Sequence, residues 1–190
     1  MPLYCWLLHL PLTRTYIMML TGSEIKRRLG HEIIITPFSE EQLNPNSYNL
    51  RLYPELLVYT DKVLDALQPN ATRTIRIPEE GIVLEPGELY LARTEEYTET
   101  YNLVPRIIGR SSVGRLGITV HLTSGFGDVG FRGNWTLQLT CVKPVRIYPH
   151  MKICQIFYTT TIGEVSSYES SKYQDSNGIM ASQLYRDTTR

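Results

Sequence analysis

Short runs of β-branched and alternating residues, each ended by proline, glycine or asparagine, occupy most of this chain. They lie at residues 31–36, 49–53, 56–59, 74–78, 89–93, 104–108, 117–123, 135–142, 145–148 and 153–160. Short strands at regular spacing, separated by turn residues, are typical of sandwiches and barrels. The pattern predicts an all-β fold with jelly-roll connections. It disfavours a doubly wound fold, because strands and helices do not alternate.

One segment has helical character. Residues 21–30 (TGSEIKRRLG) begin with a capping residue, place Ile25 and Leu29 four positions apart and end with basic residues and Gly30. This order of signals predicts one short helix at the start of the domain.

The two ends of the chain differ from its middle. Residues 1–18 are apolar but are interrupted by two prolines and Arg14, so they are too short and too broken for a membrane span and lack secretory-signal features. We interpret residues 1–18 as an N-terminal extension outside the core and residues 19–165 as the β domain. Residues 166–190 are polar and predict a C-terminal lid segment that orders over a ligand.

Charge and cysteine content exclude several classes of function. Nineteen basic and nineteen acidic residues cancel, which argues against binding nucleic acid through bulk charge. The three cysteines have neither the spacing of zinc ligands nor the even number of a disulfide framework. Neither His9 nor His150 has other metal-ligating residues near it in the sequence. We therefore expect a cytoplasmic protein that uses no zinc and binds neither nucleic acid nor membrane.

Two glycine-rich segments are candidates for ligand binding. Residues 109–117 (GRSSVGRLG) combine glycines, hydroxyls and guanidiniums, which suit a phosphate, although a turn with solvated arginines has the same composition. Residues 124–133 (SGFGDVGFRG) predict a tight hairpin whose exposed backbone can reach a base edge. Phe126 or Phe131 could stack on a base or sugar there, and Asp128 could accept from a sugar hydroxyl or merely cap a turn.

A strand follows the second segment. Alternation places Trp135, Leu137 and Leu139 on one face, and Thr136, Gln138 and Thr140 on the other. His121 precedes the hairpin and is interpreted as a structural histidine rather than a base.

Together the motifs resemble the dCTP deaminase/dUTPase superfamily, and more closely its deaminase branch, from about Met19 to Asp187. Residues 43–52 resemble Q-P-(A/N)-S-x-(D/N)-L-R-L, and residues 84–97 resemble L-x-P-G-x-x-x-L-x-x-T-x-E-Y. The G-R-S-S-x-(A/G)-R-L-G and G-x-x-D-x-G-(F/W)-x-G elements, the run Ile153 to Ile156 and an S-K-Y-Q…G…(P/A)-S tail follow in family order.

The resemblance implies a dUTPase-like distorted jelly roll or β-barrel that forms a homotrimer with active sites between subunits. It implies dCTP or dUTP as ligand, Mg²⁺ bound through the triphosphate rather than by protein ligands, and dTTP as an inhibitor, as in some relatives. The implied substrate-binding residues are Arg110, Ser111, Ser112 and Gln155 at the phosphates, Asp128 at the deoxyribose 3′-hydroxyl, Ser124, Gly125 and Phe126 around the pyrimidine, and Tyr168, Lys172 and Tyr173 in the lid. The resemblance also implies that Ser111 and Arg115 lie beside the pyrimidine ring and the water that attacks it. The implied catalytic residues are Ser111, Arg115, Asp128 and Gln138.

Gln138 departs from the family pattern, because deaminases carry a glutamate there (T-L-E, against Thr136-Leu137-Gln138). Attack of water on the amino-bearing carbon needs a proton acceptor, and ammonia then needs a donor; an amide supplies neither. Loss of such a group typically costs about 10²–10⁴ in rate.

Three interpretations remain open from the sequence. The chain is a dCTP deaminase forming dUTP or dUMP with a weakened deamination step, a dUTP pyrophosphatase alone, or a non-catalytic deoxynucleotide-binding regulator. The glycine-rich aromatic hairpin looks more like that of bifunctional, dUMP-forming members. The sequence does not distinguish a natural Gln138 from a Glu→Gln change made to trap substrate.

Overall fold

The computed structural model of the protein describes residues 18–121, 125–166, 168 and 172–187. Of the predicted extension, only Met18 lies in this part of the chain. The described residues form two short helices, α1 (Gly22–Arg27) and α2 (Ser111–Arg115), two 3₁₀ turns (Glu40–Gln42 and Leu184–Asp187) and eleven strands. No helix in this part is both long and apolar enough to cross a bilayer.

The strands cover most of the described chain. They are β1 (Ile33–Thr36), β2 (Tyr48–Arg51), β3 (Glu55–Tyr59), β4 (Thr72–Arg76), β5 (Ile82–Leu84), β6 (Tyr90–Thr100), β7 (Leu103–Gly109), β8 (Ile118–Val120), β9 (Arg132–Cys141), β10 (Val145–Ile147) and β11 (Lys152–Thr160).

Three antiparallel sheets arise from these strands. The largest has six strands, with β4, β3, β6, β9 and β8 as successive neighbours and β1 paired to β6; β2, β11 and β7 form a second sheet, and β5 and β10 a third. One cluster of buried side chains joins the two larger sheets, because it includes Leu50 and Ile156 from one and Leu56 and Leu137 from the other. The predicted mainly β fold is confirmed.

A buried ion pair also links the two larger sheets. Glu96 of β6 is completely buried, and its carboxylate accepts at 2.8 Å from both the Arg51 backbone N–H and the Arg51 Nε–H of β2. Burial raises the pKa of the Glu96 carboxyl, while hydrogen bonding and charge from Arg51 oppose that shift. The pair therefore ties the two sheets together through a desolvated charge.

The structure differs from the predicted elements in three places. Strand β5 was not predicted, β6 continues seven residues beyond the predicted end at residue 93, and α2 forms in the glycine-rich segment at residues 109–117, where no helix was predicted. The helix predicted at residues 21–30 is found as α1, where Thr21 caps the Glu24 N–H. Gly22 is required there, because a Cβ would lie 2.1 Å from the Asn44 carbonyl oxygen.

Candidate active site

A cavity of about 520 Å³ opens beside strand β9. Its walls come from β9, from the hairpin that precedes it and from the C-terminal tail. The lining residues are Tyr59, Leu89, Leu91, His121, Phe126, Gly127, Asp128, Phe131, Asn134, Trp135, Thr136, Gln138, Tyr168, Tyr173, Ser176, Met180, Ala181 and Ser182. We call this the Gln138 cavity.

Gln138 reaches the cavity because of the alternation of β9. Trp135, Leu137 and Leu139 are buried in the core, whereas Thr136 and Gln138 lie on the opposite, half-buried face. The alternation predicted from the sequence is confirmed. The strand is held centrally in its sheet between β6 and β8, so Gln138 sits on a rigid element.

Glycines fix the hairpin that carries Asp128. A Cβ at Gly125 would lie 2.2 Å from the Ile107 carbonyl oxygen, and a Cβ at Gly127 would lie 2.4 Å from the Trp135 ring. Both backbones therefore pack closely, and the Gly125 carbonyl accepts from the Ile107 N–H at 2.6 Å. Asp128, which is exposed, is held at the cavity by this close packing.

The two hairpin phenylalanines have different surroundings. Phe131 is buried, and its ring centroid lies 4.5 Å from that of Trp135. Phe126 is 54% exposed, with the Arg106 guanidinium 4.9 Å from its ring centroid. Phe126 is thus the more available of the two for stacking on an entering ring.

The C-terminal tail closes one side of the cavity. Ser176 pairs with β9, because its carbonyl accepts from the Asn134 N–H at 2.9 Å and its hydroxyl donates to the Asn134 carbonyl at 2.8 Å. Further along, the Met180 N–H donates to Thr136 Oγ1 at 3.0 Å. The tail therefore docks on the same strand that presents Gln138.

His121 lines the cavity, contrary to the interpretation of a satisfied structural histidine. Both ring nitrogens are buried without a hydrogen-bond partner among the described residues, and its φ is +61°. Burial lowers the pKa of His121 to about 4, so the ring is neutral at pH 7.

The glycine-rich segment at residues 109–117 lies elsewhere on the chain. Ser111, Ser112 and Arg115 are exposed on α2, and the Arg110 Nη1 donates to the Lys152 carbonyl at 3.1 Å. Gln155 lies beside this segment, because Cys154 pairs with Gly109 and Gln155 with Ile108. We call Arg110, Ser111, Ser112, Arg115 and Gln155 the Arg110 surface.

The structure separates the candidate residues into two groups. The Gln138 cavity collects Phe126, Asp128, Gln138, Tyr168 and Tyr173, with Gly125 beside it, whereas the Arg110 surface does not line it. Lys172 does not line it either, since it pairs with Asp187. Ser124 lies outside the described residues.

Several cavity residues had no distinguishing signal in the sequence. Tyr59 ends an ordinary strand run, and its hydroxyl accepts from the Ser182 N–H at 2.9 Å. Thr136 and Asn134 belong to the strand of Gln138 and were recognised only as parts of it. The sequence motif in the C-terminal tail, which includes Ala181 and Ser182, was the only signal that predicted a contribution of the tail to this cavity.

The sequence and fold of this chain are similar to those of known proteins. Residues 19–161 match the family model described as dCTP deaminase-like. A Leptospira biflexa protein named "dCTP deaminase, dUMP-forming" is 59% identical over 170 residues, which cover 90% of this chain and 98% of that protein. A Clostridium acetobutylicum protein of the same name is 58% identical over the same shares of the two chains.

A solved structure has a similar fold. The crystal structure of 2′-deoxycytidine 5′-triphosphate deaminase from Agrobacterium tumefaciens matches with a TM-score of 0.61 at 17% identity, covering 76% of this chain and 49% of that one. The motifs, the fold and the long, close sequence matches all lead to one conclusion: the chain belongs to the dCTP deaminase-like family.

Proposed function

We propose that this protein is a dCTP deaminase of the dUMP-forming kind, which converts dCTP and two waters to dUMP, ammonia and pyrophosphate. One observation carries the proposal. Gln138, Asp128 and Phe126 meet in one cavity, in a chain 59% identical over 90% of its length to a protein named for that activity.

Within the cavity, each group has a proposed role. The hairpin around Gly125 and Phe126 frames the pyrimidine, and Asp128 accepts from the deoxyribose 3′-hydroxyl. Tyr168 and Tyr173 close over the substrate from the tail. Thr136 and Tyr59 hold that tail in place through the N–H groups of Met180 and Ser182, which keeps water out of the cavity.

The phosphates are proposed to bind to the Arg110 surface of a neighbouring subunit. Arg110, Ser111, Ser112 and Gln155 offer anion-binding donors, yet they do not line the Gln138 cavity of their own chain. In a homotrimer with sites between subunits, one subunit supplies the Gln138 cavity and its neighbour supplies the Arg110 surface. Ser111 and Arg115 of that surface then face the pyrimidine ring and the attacking water. Lys172 can bind the phosphates once its ion pair with Asp187 is broken.

Gln138 is proposed to slow deamination without preventing binding. A side-chain amide can hydrogen-bond the pyrimidine but cannot accept the proton of the attacking water. The expected cost is about 10²–10⁴ in rate against a glutamate at this position. Hydrolysis of the phosphate chain depends on Asp128 and is proposed to continue.

Mg²⁺ is proposed to arrive bound to the triphosphate. Among the described residues, His, Cys, Asp and Glu form no cluster of three or more that could hold a metal. Mg²⁺ commonly keeps several waters and takes few protein ligands beside substrate phosphates, so binding through the triphosphate needs no dedicated protein site. When bound it would neutralise phosphate charge. We also propose that dTTP competes for the cavity and that the protein acts in the cytoplasm.

One assay tests the activity. Purified protein is incubated with Mg²⁺ and either dCTP or dUTP, and ammonia, pyrophosphate and nucleotide products are measured, beside Gln138→Glu. Thr140→Glu is the control, because it places a carboxylate on the same face of β9 outside the cavity lining. We expect Gln138→Glu alone to raise ammonia release, by about 10²–10⁴.

Other outcomes have distinct meanings. Rapid ammonia release by the unaltered protein would show that another group accepts the proton. Pyrophosphate from dUTP with no ammonia from either form would favour a dUTP pyrophosphatase. No product from either dCTP or dUTP, combined with nucleotide binding, would favour a non-catalytic deoxynucleotide-binding regulator.

Subunit mixing tests the shared site. Arg110→Ala and Asp128→Ala are each expected to be inactive, because each destroys one half of every site. Unfolded and refolded together, they should form some trimers with an intact site and recover part of the activity. No recovery in mixed trimers of verified composition would contradict sites shared between subunits.

A further inference from the structure

A chain of side-chain amides and one hydroxyl leads to Gln155 of the Arg110 surface. Asn49 Nδ2 donates to the Gln42 backbone carbonyl at 3.1 Å and to Asn44 Oδ1 at 3.2 Å. Asn44 Nδ2 donates to Ser47 Oγ at 3.1 Å, and the Ser47 hydroxyl donates to Gln155 Oε1 at 2.9 Å. Asn49 and Ser47 are both buried.

The direction of this chain is fixed at its far end. A backbone carbonyl only accepts, so Asn49 must turn its NH₂ group toward Gln42, and that same group meets Asn44. Asn44 therefore presents its oxygen to Asn49 and its NH₂ group to Ser47. The hydroxyl of Ser47, whose oxygen accepts from Asn44, sends its single proton to Gln155.

This direction decides which end of Gln155 is available. Its oxygen is occupied by the Ser47 hydroxyl, so its NH₂ group is left to donate. The opposite orientation would place the amide oxygen there, and binding of an anion would be weaker because both groups are hydrogen-bond acceptors. Gln155 lies between Asn49 of β2 and Ile108 of β7, one residue beyond the Cys154–Gly109 pair that leads into Arg110.

We infer that Ser47, Asn44 and Asn49 are positioning residues, which hold the amide of Gln155 so that its NH₂ group faces the triphosphate beside Arg110. The inference rests on the proposed function, in which this surface binds the phosphates. Ser47 touches no substrate in this scheme and acts through Gln155 alone.

Nucleotide binding separates the variants. The probe is the α,β-imido analogue of dUTP with Mg²⁺, which resists phosphate-chain hydrolysis and needs no deamination, and dUMP serves for comparison. Ser47→Ala should weaken analogue binding about tenfold, the size of one misaligned hydrogen bond to a charged group, with a smaller effect on dUMP. Ser47→Thr keeps the hydroxyl and should restore affinity. Ser39→Ala is the control, because the Ser39 side chain makes no capping hydrogen bond.

A double-mutant cycle distinguishes positioning from general structural support. In a Gln155→Met background, Ser47→Ala should cause no further loss of analogue affinity, because there is no amide left to orient. An equal loss in both backgrounds would overturn the inference, as would unchanged affinity in Ser47→Ala.

The Gln155 amide can also be observed directly in the unaltered protein. The side-chain NH₂ resonances of Gln155, assigned with Gln155→Met, should shift when the analogue is added; unshifted resonances at saturation would overturn the inference. If the unaltered protein binds neither dCTP nor the analogue, the proposed function fails and the inference fails with it. Binding without the Ser47 effect removes the inference alone.

Discussion

The backbone N–H of Ser182 donates a 2.9 Å hydrogen bond to the hydroxyl of Tyr59, and both residues line the Gln138 cavity. The same part of the tail uses two more hydroxyls: Thr136 accepts from the Met180 N–H, and Tyr173 accepts from the Gln183 N–H. Side-chain hydroxyls rather than a continuous backbone ladder thus hold the tail here, so single-atom substitutions can loosen it.

Tyr59→Phe should raise the KM for dCTP and dUTP about fivefold, corresponding to about 1 kcal/mol for one lost hydrogen bond. The ring stays, so the cavity wall keeps its shape and the free energy of unfolding should fall by no more than about 1 kcal/mol. Tyr148→Phe is the control, because it removes the hydroxyl of an exposed tyrosine outside the cavity lining. Equal KM values for the two variants would remove the tail-docking role of Tyr59.

His121 should make the protein less stable in mild acid. In the unfolded chain a histidine takes up a proton near pH 6.5, whereas folded His121 does so only near pH 4. Between these pH values the unfolded state binds more protons, so stability falls as pH drops through that window and is unaffected by this group above it.

Thermal unfolding of His121→Asn at pH 7 and pH 4.5 tests this expectation. Asparagine tolerates the positive φ of this position and does not titrate. The variant should lose less stability on acidification than the unaltered protein, and His31→Asn controls for removal of an exposed histidine. A variant that loses just as much would refute the assignment.

Arg51→Met should destabilise the fold by about 3–5 kcal/mol, because it leaves the buried Glu96 carboxylate without its partner. Chemical denaturation measures the free energy of unfolding. Arg27→Met, which removes an arginine whose side chain is 68% exposed, should cost less than about 1 kcal/mol. Replacing Glu96 by Leu as well should recover part of the loss, and no recovery would show that the pair matters for another reason.

Two glycine substitutions should have opposite effects. Gly127→Ala forces a methyl group against Trp135 and Pro105, so the hairpin must shift, and both melting temperature and nucleotide affinity should fall. Gly114→Ala meets nothing within 4 Å in the described chain and lies in α2, so its melting temperature should hold or rise. Lost nucleotide binding in a stable Gly114→Ala would mean that a ligand or a neighbouring subunit packs there.

Asp128→Asn should lower kcat/KM for dUTP by about 10–100-fold, the equivalent of losing a hydrogen bond to a charged acceptor. The substitution keeps size and removes charge, so folding should be unchanged. Asp65→Asn provides the control, on an exposed turn that is not part of the cavity wall. Unchanged kinetics in Asp128→Asn would end the role proposed for this carboxylate.

The strands were predictable because their signals are local. Alternation in β9 placed Gln138 on the correct face, and the glycines of the hairpin reported close packing that the structure shows at Gly125 and Gly127. The second half of β6 was not predictable in this way. It contains Glu95 and Glu96, residues with low strand propensity that are stabilised by the Arg51 guanidinium on another sheet.

Relationships across the chain were beyond the reach of sequence patterns. The L-R-L and T-x-E-Y motifs were recognised separately, but their meeting in the Arg51–Glu96 ion pair depends on the docking of two sheets. Tyr59 and His121 likewise become cavity residues only through tertiary packing. Within one subunit the Arg110 surface lies apart from the Gln138 cavity, and the sequence motifs do not contain this information.

The directed chain from Asn49 to Gln155 also constrains how this protein can vary during evolution. An aspartate at position 49, which the family pattern allows, cannot donate to the Gln42 carbonyl or to Asn44. Relatives with aspartate there are expected to differ at position 44 or 47 as well, since one reversed amide would reverse those that follow. In this chain, a reversed side chain at position 49 therefore requires a matching change at position 44 or 47.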